Sequence, residues 1–286
     1  MAALLVAGLL ALARTAACLQ TVTQDGSLHN LTVCNAYADS RPMNVYSRAR
    51  GSRGQEERDR AHVKLTEQPL EYKRCRSLVV DLAEDAHIDF RLGGFSVGTF
   101  HANNLPYASA SLLLVPYHHT NGSMSADFLS HTFPPDEEGS QIAVLDTYTG
   151  SARGTMHILS GGPSPAAVEL HGTAAVQLHA EGAEGKRRRT AELKPSTAAT
   201  LAAGQYEVVL RDASGNRQRT VSLDAAAGST FVVIRVGSEE DDLAQDLLVA
   251  KISGSSGAAG SGTVRLAPGA LAGVLAACAA VSAGLP

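Results

Sequence analysis

The stretch HIDFRL at residues 87–92 places Ile88, Phe90 and Leu92 on one side of the chain and polar residues on the other. Successive side chains of a β-strand point to opposite faces, so this period of two predicts a strand with one buried face. QYEVVL at residues 205–210 repeats the pattern, and the turn-forming residues DASGN follow at 212–216. We therefore predict a β-hairpin over residues 205–223.

Strand-like segments recur along most of the chain, whereas no amphipathic helical pattern of useful length precedes Asp241. Residues 242–252 fit either a short helix or a last strand. The pattern predicts an all-β fold of two tandem antiparallel immunoglobulin-like β-sandwiches, over residues 28–150 and 166–238, with SGGPSP at 160–165 as the linker. The other candidate strands are residues 31–36, 43–47, 78–82, 112–115, 141–147, 174–179, 220–223 and 229–236.

Weak internal repetition also indicates two modules. Residues 82–92 resemble residues 201–210, because a short turn leads into an alternating strand in both. Residues 139–145 resemble residues 228–234 in a similar way. On this alignment the first module carries additional chain between Gly93 and Glu138.

The two ends of the chain are typical of targeting signals. Residues 1–17 combine an apolar run with small residues, which predicts a secretory signal peptide, although the segment lacks an early Lys or Arg. TAAC at 15–18 resembles a bacterial lipobox with Thr in place of the first Leu. At the other end, residues 239–262 are the predicted stalk and residues 263–286 the predicted signal for a glycosylphosphatidylinositol anchor attached near Ser256. A retained transmembrane helix and a disordered end are the alternatives for this tail.

The composition indicates an exported protein that binds no nucleic acid. There are 24 Lys and Arg against 28 Asp and Glu, a net charge of −4 that gives no field to attract polyanions. With Cys18 at the cleavage point and Cys278 in the tail, Cys34 and Cys75 form the predicted disulfide. The sequons at Asn30 and Asn121 predict N-glycosylation.

LTVCNA at residues 31–36 and PMNVY at 42–46 resemble the opening of an extracellular domain family of unknown function. LAAGQYEV at 201–208 is similar to a second motif of that family. The resemblance implies tandem immunoglobulin-like sandwiches, and the layout also resembles the accessory protein of alginate O-acetylation, which implies a non-catalytic role. The Arg-rich insert at 48–60, the extension at 93–138 and the two cysteines depart from the pattern, so no functional residue is carried over.

GFSVG at residues 94–98 has the G-x-S-x-G spacing of a nucleophile elbow, with Asp146 and His157 following in the order of a hydrolase triad. An elbow requires a helix directly after the serine, and loop-forming residues follow here instead. We therefore interpret Ser96 as part of a Gly-rich loop between strands and predict no catalytic residue.

Metal binding is not favoured by the spacing of the candidate ligands, and we predict no metal site and no cofactor. Four histidines cluster in the sequence, but adjacent strand residues such as His118 and His119 point to opposite faces. EEDD at 239–242 lacks the glycine and alternating oxygen ligands of a calcium loop, and we interpret it as part of the stalk or as a helix N-terminus. The four histidines are His101, His118, His119 and His131.

Basic residues concentrate in the insert at 48–60 and in the run Lys186, Arg187, Arg188 and Arg189. Arginine forks suit the carboxylate or sulfate groups of an anionic glycan, and a solvated loop or a protease processing site is the alternative. The sequence therefore predicts a non-catalytic protein of the extracellular membrane face that is held by a lipid anchor and binds a glycan or a surface protein. The alternatives are an accessory factor in polysaccharide modification and a serine hydrolase that uses Ser96.

Overall fold

The structure of the protein is a computed structural model. It describes residues 28–48, 62–82, 86–102, 111–118, 123–133, 139–160, 168–171, 179–181 and 188–252. These residues form strands, turns and bends without a helix, which confirms the predicted all-β class. None of them forms a helix that is long and apolar enough to cross a membrane. The predicted signal peptide at 1–17, the anchor signal at 263–286 and the anchor residue Ser256 lie outside the described residues.

Two β-sheets form the first sandwich. Its strands are β1 (Leu28–Cys34), β2 (Met43–Arg48), β3 (His62–Lys64), β4 (Cys75–Asp81), β5 (Ala86–Leu92), β6 (Phe95–Ala102), β7 (Ser111–His118) and β8 (Ala126–Phe133). Sheet A has the order β4-β1-β7-β8, and sheet B has the order β3-β2-β5-β6. All pairs are antiparallel except β1 and β7, which run parallel.

Two further sheets form the second sandwich. Its strands are β9 (Ser140–Asp146), β10 (Gly154–Ser160), β11 (Val168–His171), β12 (His179–Glu181), β13 (Arg188–Leu193), β14 (Thr197–Leu201), β15 (Gly204–Asp212), β16 (Arg217–Ala225), β17 (Thr230–Ser238) and β18 (Leu243–Ile252). Sheet C has the order β11-β14-β9-β17-β18, and sheet D has the order β12-β13-β10-β15-β16. The predicted hairpin over 205–223 is the pair β15 and β16, and the candidate strand at 174–179 falls almost entirely outside the described residues.

Each sandwich has its own core, filled by the alternating apolar residues that the sequence places on one face of each strand. Ile88, Phe90 and Leu92 of β5 are buried against Leu31 and Leu114 of sheet A. The second core is built in the same manner between sheets C and D, where Val208 and Leu210 of β15 meet residues of β9 and β17. The period of two therefore predicts the buried face of these strands correctly.

A third apolar core joins the two sandwiches, since the second face of sheet A packs against the second face of sheet C. The four sheets are consequently stacked in the order B, A, C, D. Strand β17 shows the effect, because all nine of its residues are buried. The buried residues of this third core, which we call the A–C interface, are Cys34, Ala36, Leu113, Val115, Phe133, Ala143, Leu145, Val232, Ile234, Val236, Leu248 and Ile252.

Polar contacts at the edge of the A–C interface fix the two sandwiches in register. Nζ of Lys73 lies 2.9 Å from Oδ2 of Asp246, and Nδ1 of His118 lies 3.1 Å from Oδ2 of Asp241. Tyr72 packs beside them, and burial, with smaller contributions from the charges of Asp246 and Asp241, raises the pKa of its phenol to about 12. The A–C interface thus has an apolar centre, and two side-chain pairs at its edge each join a residue of the first sandwich to a residue of the second.

The predicted disulfide between Cys34 and Cys75 is present, with an S–S distance of 2.05 Å. The two residues are direct partners in the antiparallel register of β1 and β4. Closing a loop between residues 41 positions apart stabilises the fold by about 4 kcal/mol in the chain-entropy model. The bond lies at the A–C interface, so it also holds the turn that carries Tyr72 and Lys73.

The domain boundaries differ from the predicted ones. The second sandwich begins at β9, not at residue 166, because β9 pairs with β14 and β17 of sheet C. The predicted linker at 160–165 begins at the last residue of β10, a strand of sheet D. Part of the predicted stalk at 239–262 is a strand of the second sandwich, since residues 243–252 form β18. The strand at 243–252 agrees with one of the two alternatives for residues 242–252, whereas the boundary between the modules is wrong because local composition does not show which sheet a strand joins.

The connection between β9 and β10 is held to the second sandwich by two charged residues. The Glu239 carboxylate accepts hydrogen bonds from the Tyr148 hydroxyl and from the backbone N–H groups of Ser151 and Ala152, at 2.9 to 3.0 Å. These bonds lower the pKa of Glu239 to about 2. The buried Arg235 guanidinium donates to Asp146 and to the Ala152 carbonyl. Residues 147–153 therefore form a loop that is hydrogen-bonded to the second sandwich.

The strand orders of the two sandwiches correspond. The order β4-β1-β7-β8 matches β14-β9-β17-β18, and β3-β2-β5-β6 matches β13-β10-β15-β16, with β11 and β12 as additional edge strands. The repeat between residues 82–92 and 201–210 agrees with this match, because β5 and β15 are equivalent. The repeat between 139–145 and 228–234 does not, since β9 and β17 are parallel neighbours in sheet C. Their sequences are similar because both strands are buried on both faces.

We predict that the change Ile234→Ala lowers the free energy of unfolding by about 2–5 kcal/mol, because it leaves a cavity in the A–C interface. Denaturant titration of the purified chain measures this difference. The control Val63→Ala, at a strand residue that is 60% exposed, should change stability by less than about 0.5 kcal/mol. Equal stability of Ile234→Ala and wild type would show that the sandwiches do not pack in this way.

Candidate functional site

The outer face of sheet B is covered by polar side chains across all four of its strands. Met43, Val45, Ile88 and Phe90 point into the core, so the residues that alternate with them lie on the opposite face. The antiparallel registers bring these polar residues side by side in three rows. The outer face of sheet B comprises His62, Arg48, His87 and His101 in the first row, Lys64, Tyr46, Asp89 and Thr99 in the second, and Asn44, Arg91 and Ser96 in the third.

Asp89 is the centre of this face, and its side chain is buried although sheet B is an outermost layer. The residue is 2% exposed. Nη2 of Arg48 donates to both of its carboxylate oxygens at 2.9 Å, and the Thr99 hydroxyl donates to Oδ1 at 2.6 Å. Nδ1 of His62 lies 3.0 Å from Oδ2. Four strands thus supply one hydrogen-bonded cluster.

The pKa of the Asp89 carboxyl is below its ordinary value. Burial acts in the opposite direction, since it disfavours the charged form. The hydrogen bonds from Thr99 and Arg48, and the charges of Arg48 and His62, outweigh that effect. Asp89 is therefore ionised at neutral pH and acts as an acceptor for all its neighbours.

The ionised carboxylate also fixes the protonation of the His62 ring. Because Asp89 carries no proton, Nδ1 of His62 carries the hydrogen that lies between them. Nη2 of Arg91 lies 3.3 Å from the same Nδ1, so two donors face each other and Arg91 gains no hydrogen bond there. The Arg91 guanidinium instead stacks on the ring of Tyr46, with its Cζ 4.8 Å from the ring centroid.

Three polar atoms of this face are buried without a hydrogen-bond partner. They are Oδ1 of Asn44, Nε of Arg48 and Nε of Arg91. Asn44 and Arg91 are direct cross-strand partners, so an acceptor and a donor that both lack partners lie in the same row. An unsatisfied buried polar group costs about 1–3 kcal/mol, so each of these atoms calls for a partner such as water or a ligand.

Ser96 does not lie in a nucleophile elbow. It is the second residue of β6, and the residues before it, Gly93 and Gly94, form the two-residue turn of the hairpin between β5 and β6. Gly93 has φ of 58°, which this turn requires. Ser96 belongs to sheet B, whereas Asp146 and His157 belong to sheets C and D, so sheet A separates the serine from both. Ser96 therefore forms neither a nucleophile elbow nor a triad with Asp146 and His157.

The two basic segments of the sequence occupy equivalent connections in the two modules. The insert at 48–60 leaves the end of β2 and returns at β3, and Arg48 itself takes part in the Asp89 cluster. The second segment lies between β10 and β13, which are the equivalents of β2 and β3. The backbones of Arg188 and Arg189 begin β13 and pair with Glu181 and Ala180, and Lys186 and Arg187 lie outside the described residues.

Three of the four histidines of the sequence cluster lie in described strands, and these strands belong to two different sheets. His118 contacts Asp241 across the A–C interface, His101 stacks on His87 with ring centroids 4.1 Å apart, and burial lowers the pKa of His131. His119 lies outside the described residues. In the part of the chain that the structure describes, no group of three or more His, Cys, Asp or Glu side chains could hold a metal ion.

Asn30 lies in β1 and is partly exposed, next to Val79, its cross-strand neighbour, which is 68% exposed. N-glycosylation there stays a prediction, and Asn121 lies outside the described residues.

Sequence reasoning missed Asp89, Tyr46, His62 and Arg91 as site residues. The alternation over residues 87–92 marks Asp89 and Arg91 as outward-facing, which ordinarily indicates a solvated surface. The signal that could have identified Asp89 is its charge, because a carboxylate beside a strand that carries Arg48 is expected to pair across the sheet. Its burial depends on β2, β3 and β6, which the local sequence does not specify.

No protein-family model matches the sequence, and no curated protein matches it. Among solved structures, the chain is similar to CBMbc of family CBM26 from Eubacterium rectale in complex with maltoheptaose, with 13% identity over 79% of this chain and 98% of that chain and a TM-score of 0.24. It is also similar to a streptococcal virulence factor that binds alpha-glucan, with 11% identity over 76% and 95% and a TM-score of 0.23. The fimbrial anchor protein Mfa2 from Porphyromonas gingivalis gives 8% identity over 79% and 99% and a TM-score of 0.21. Similarities at this level assign no ligand to the chain.

We predict that Asp89→Asn lowers the free energy of unfolding by about 3 kcal/mol at pH 7, because it leaves Arg48 without its counter-charge and the Thr99 hydroxyl without a carboxylate acceptor. Since the pKa of Asp89 is lowered in the folded state, its stabilising contribution is complete above the ordinary carboxyl pKa and is lost as the pH falls through the folded value. The difference between variant and wild type should therefore shrink between about pH 5 and pH 2. Urea titrations over this range measure it, with Asp224→Asn at an exposed strand residue as the control. A difference that is independent of pH would contradict the role of the ionised carboxylate.

Proposed function

We propose that the chain is a non-catalytic extracellular protein that is held at the membrane by a lipid anchor and binds a glycan or a surface protein through the outer face of sheet B. The observation that carries this proposal is the Asp89 cluster, a buried and hydrogen-bonded set of charged side chains on an outermost sheet. Paired charges at such a place cost desolvation free energy, and well-packed apolar residues would often stabilise a sheet equally well. A binding role explains why they are present.

The geometry of this face suits recognition of a polar ligand. Its side chains extend from four hydrogen-bonded strands, so they are held on a rigid support and lose little conformational freedom when a ligand binds. The hairpin turn between β5 and β6 borders the same sheet. Loops beside a rigid sheet are frequent positions for binding residues.

The disulfide supports the extracellular part of the proposal. Bonds between cysteines persist in oxidising compartments, and the pair Cys34 and Cys75 closes within a cross-strand register where both side chains lie at the A–C interface. The apolar segment at residues 1–17 supports export, and the apolar segment at residues 263–286 supports lipid anchoring.

The lipid anchor predicts that a phosphatidylinositol-specific phospholipase releases the protein from intact cells that express the full chain. Antibody detection in the supernatant measures the release, and a chain with a genuine transmembrane helix, expressed in the same cells, is the control. Protein that stays with the cells after treatment, or that is found only in the cytosol, would contradict the proposed anchor.

Binding through sheet B predicts that a bulky residue on its outer face blocks the ligand. Ser96 and Ser222 are exposed serines on the equivalent edge strands β6 and β16, so Ser96→Trp and Ser222→Trp are a matched pair. The purified protein is applied to an array of glycans and surface proteins. We expect Ser96→Trp to weaken binding at least tenfold and Ser222→Trp to bind like wild type. Equal effects of both changes, or no binding by the wild type, would contradict the proposal.

A further inference from the structure

The unpaired atoms on the outer face of sheet B indicate the chemical class of the ligand. We infer that this face binds an acidic saccharide, with a carboxylate or sulfate group held by Arg91 and a neighbouring hydroxyl donating to Oδ1 of Asn44. This inference rests on the proposed function, because it names the ligand of the same site.

The charges on the face favour an anion. Its described residues include three permanent cations, Arg48, Lys64 and Arg91, and one carboxylate, that of Asp89. Asp89 is engaged by Arg48 through both oxygens, so it neutralises that cation. The positive charges of Lys64, in the second row, and Arg91, in the third row, then have no carboxylate of this face to neutralise them. An anionic ligand would neutralise them.

Arg91 has the donors that an oxyanion requires. Its guanidinium lies on the Tyr46 ring, its Nε is buried without a hydrogen-bond partner among the described residues, and its Nη2 lies 3.3 Å from Nδ1 of His62, which donates to Asp89. Stacking on the ring leaves the edge of the guanidinium plane, where all its N–H groups point, for in-plane hydrogen bonds. A planar fork of donors matches the paired oxygens of a carboxylate or a sulfate group.

Asn44 requires a hydrogen-bond donor, whereas Arg91 requires an acceptor. Its Oδ1 is a buried acceptor without a donor, one strand away from Arg91 in the same row. Direct cross-strand partners on one face have Cβ atoms about 5 Å apart, so one ligand can contact both side chains. An inorganic anion without a hydrogen atom could satisfy Arg91 but not Asn44. A ligand that carries both an oxyanion and a hydroxyl satisfies both.

Asp89 acts as a positioning residue for this site. Its carboxylate, in the second row, accepts hydrogen bonds from the Arg48 guanidinium and from Nδ1 of His62, which both extend from the first row. Nη2 of Arg91 therefore faces a ring nitrogen that already donates to Asp89. The hydrogen bonds of Asp89 therefore fix the positions of Arg48 and His62 beside Arg91.

The test measures binding of the purified full chain to labelled oligosaccharides of three kinds: one with carboxylates, one with sulfates and one neutral. We expect at least one acidic oligosaccharide to bind more than tenfold more tightly than the neutral one, and its affinity to fall as salt is raised. Arg91→Gln should weaken that binding at least tenfold. The control Arg217→Gln, at an exposed arginine of β16 in sheet D, should bind like wild type. The carboxylated and sulfated probes show which group the site prefers.

A measurement on the unmutated chain keeps the test decisive if Arg91→Gln does not fold. The acidic oligosaccharide should protect Arg91, and not Arg217, from modification by phenylglyoxal, as mapped by mass spectrometry. Equal binding of neutral and acidic oligosaccharides that Ser96→Trp still blocks would overturn the inference and leave the proposed function standing. Acidic binding that is unchanged in Arg91→Gln, without protection of Arg91, would also overturn it. If neither an oligosaccharide nor a surface protein binds, both are overturned.

Discussion

The packing of sheet A against sheet C is the constraint on which the rest of the molecule depends. The central strands of each sheet are covered on one side by the sandwich partner and on the other by the second module, so these strands carry apolar residues on both faces. Strand β17, with every residue buried, shows how complete this requirement is. Polar side chains that serve a ligand consequently have to lie on sheets B and D or in the connections. The Asp89 cluster satisfies this condition, because sheet B is the outermost layer of the first module.

The Asp89 cluster differs from the other charged groups of the chain in what its bonds accomplish. Arg235 and Glu239 each tie the β9–β10 loop to a neighbouring strand, and their hydrogen bonds are nearly all made. The charges around Asp89 connect residues that the sheet already holds together, and Arg48 and Arg91 each keep a buried nitrogen without a partner. Such incomplete bonding costs stability, and a ligand that supplied the missing partners would recover it.

The sequence predicts the strands of this fold better than their arrangement. The alternation at residues 87–92 and 205–210 identifies β5 and β15 with their inward faces, because that signal is local. The unbroken apolar runs LLLV at 112–115 and FVVI at 231–234 also carry the signal of a strand buried on both faces. Which sheets meet there is not readable, since sheet order depends on pairing between distant segments. Asp89 illustrates the same limit, because its burial requires three other strands.

The stacking order also determines what the second module can contribute to binding. Packed sheets lie about 10 Å apart, so the outer faces of sheets B and D are separated by roughly 30 Å and point in opposite directions. A short oligosaccharide therefore contacts only one of them. The basic segments lie in equivalent connections of the two modules, yet sheet D does not have to share the ligand of sheet B. Its module already has a necessary role, because sheet C covers the apolar outer face of sheet A, which would otherwise be exposed to water.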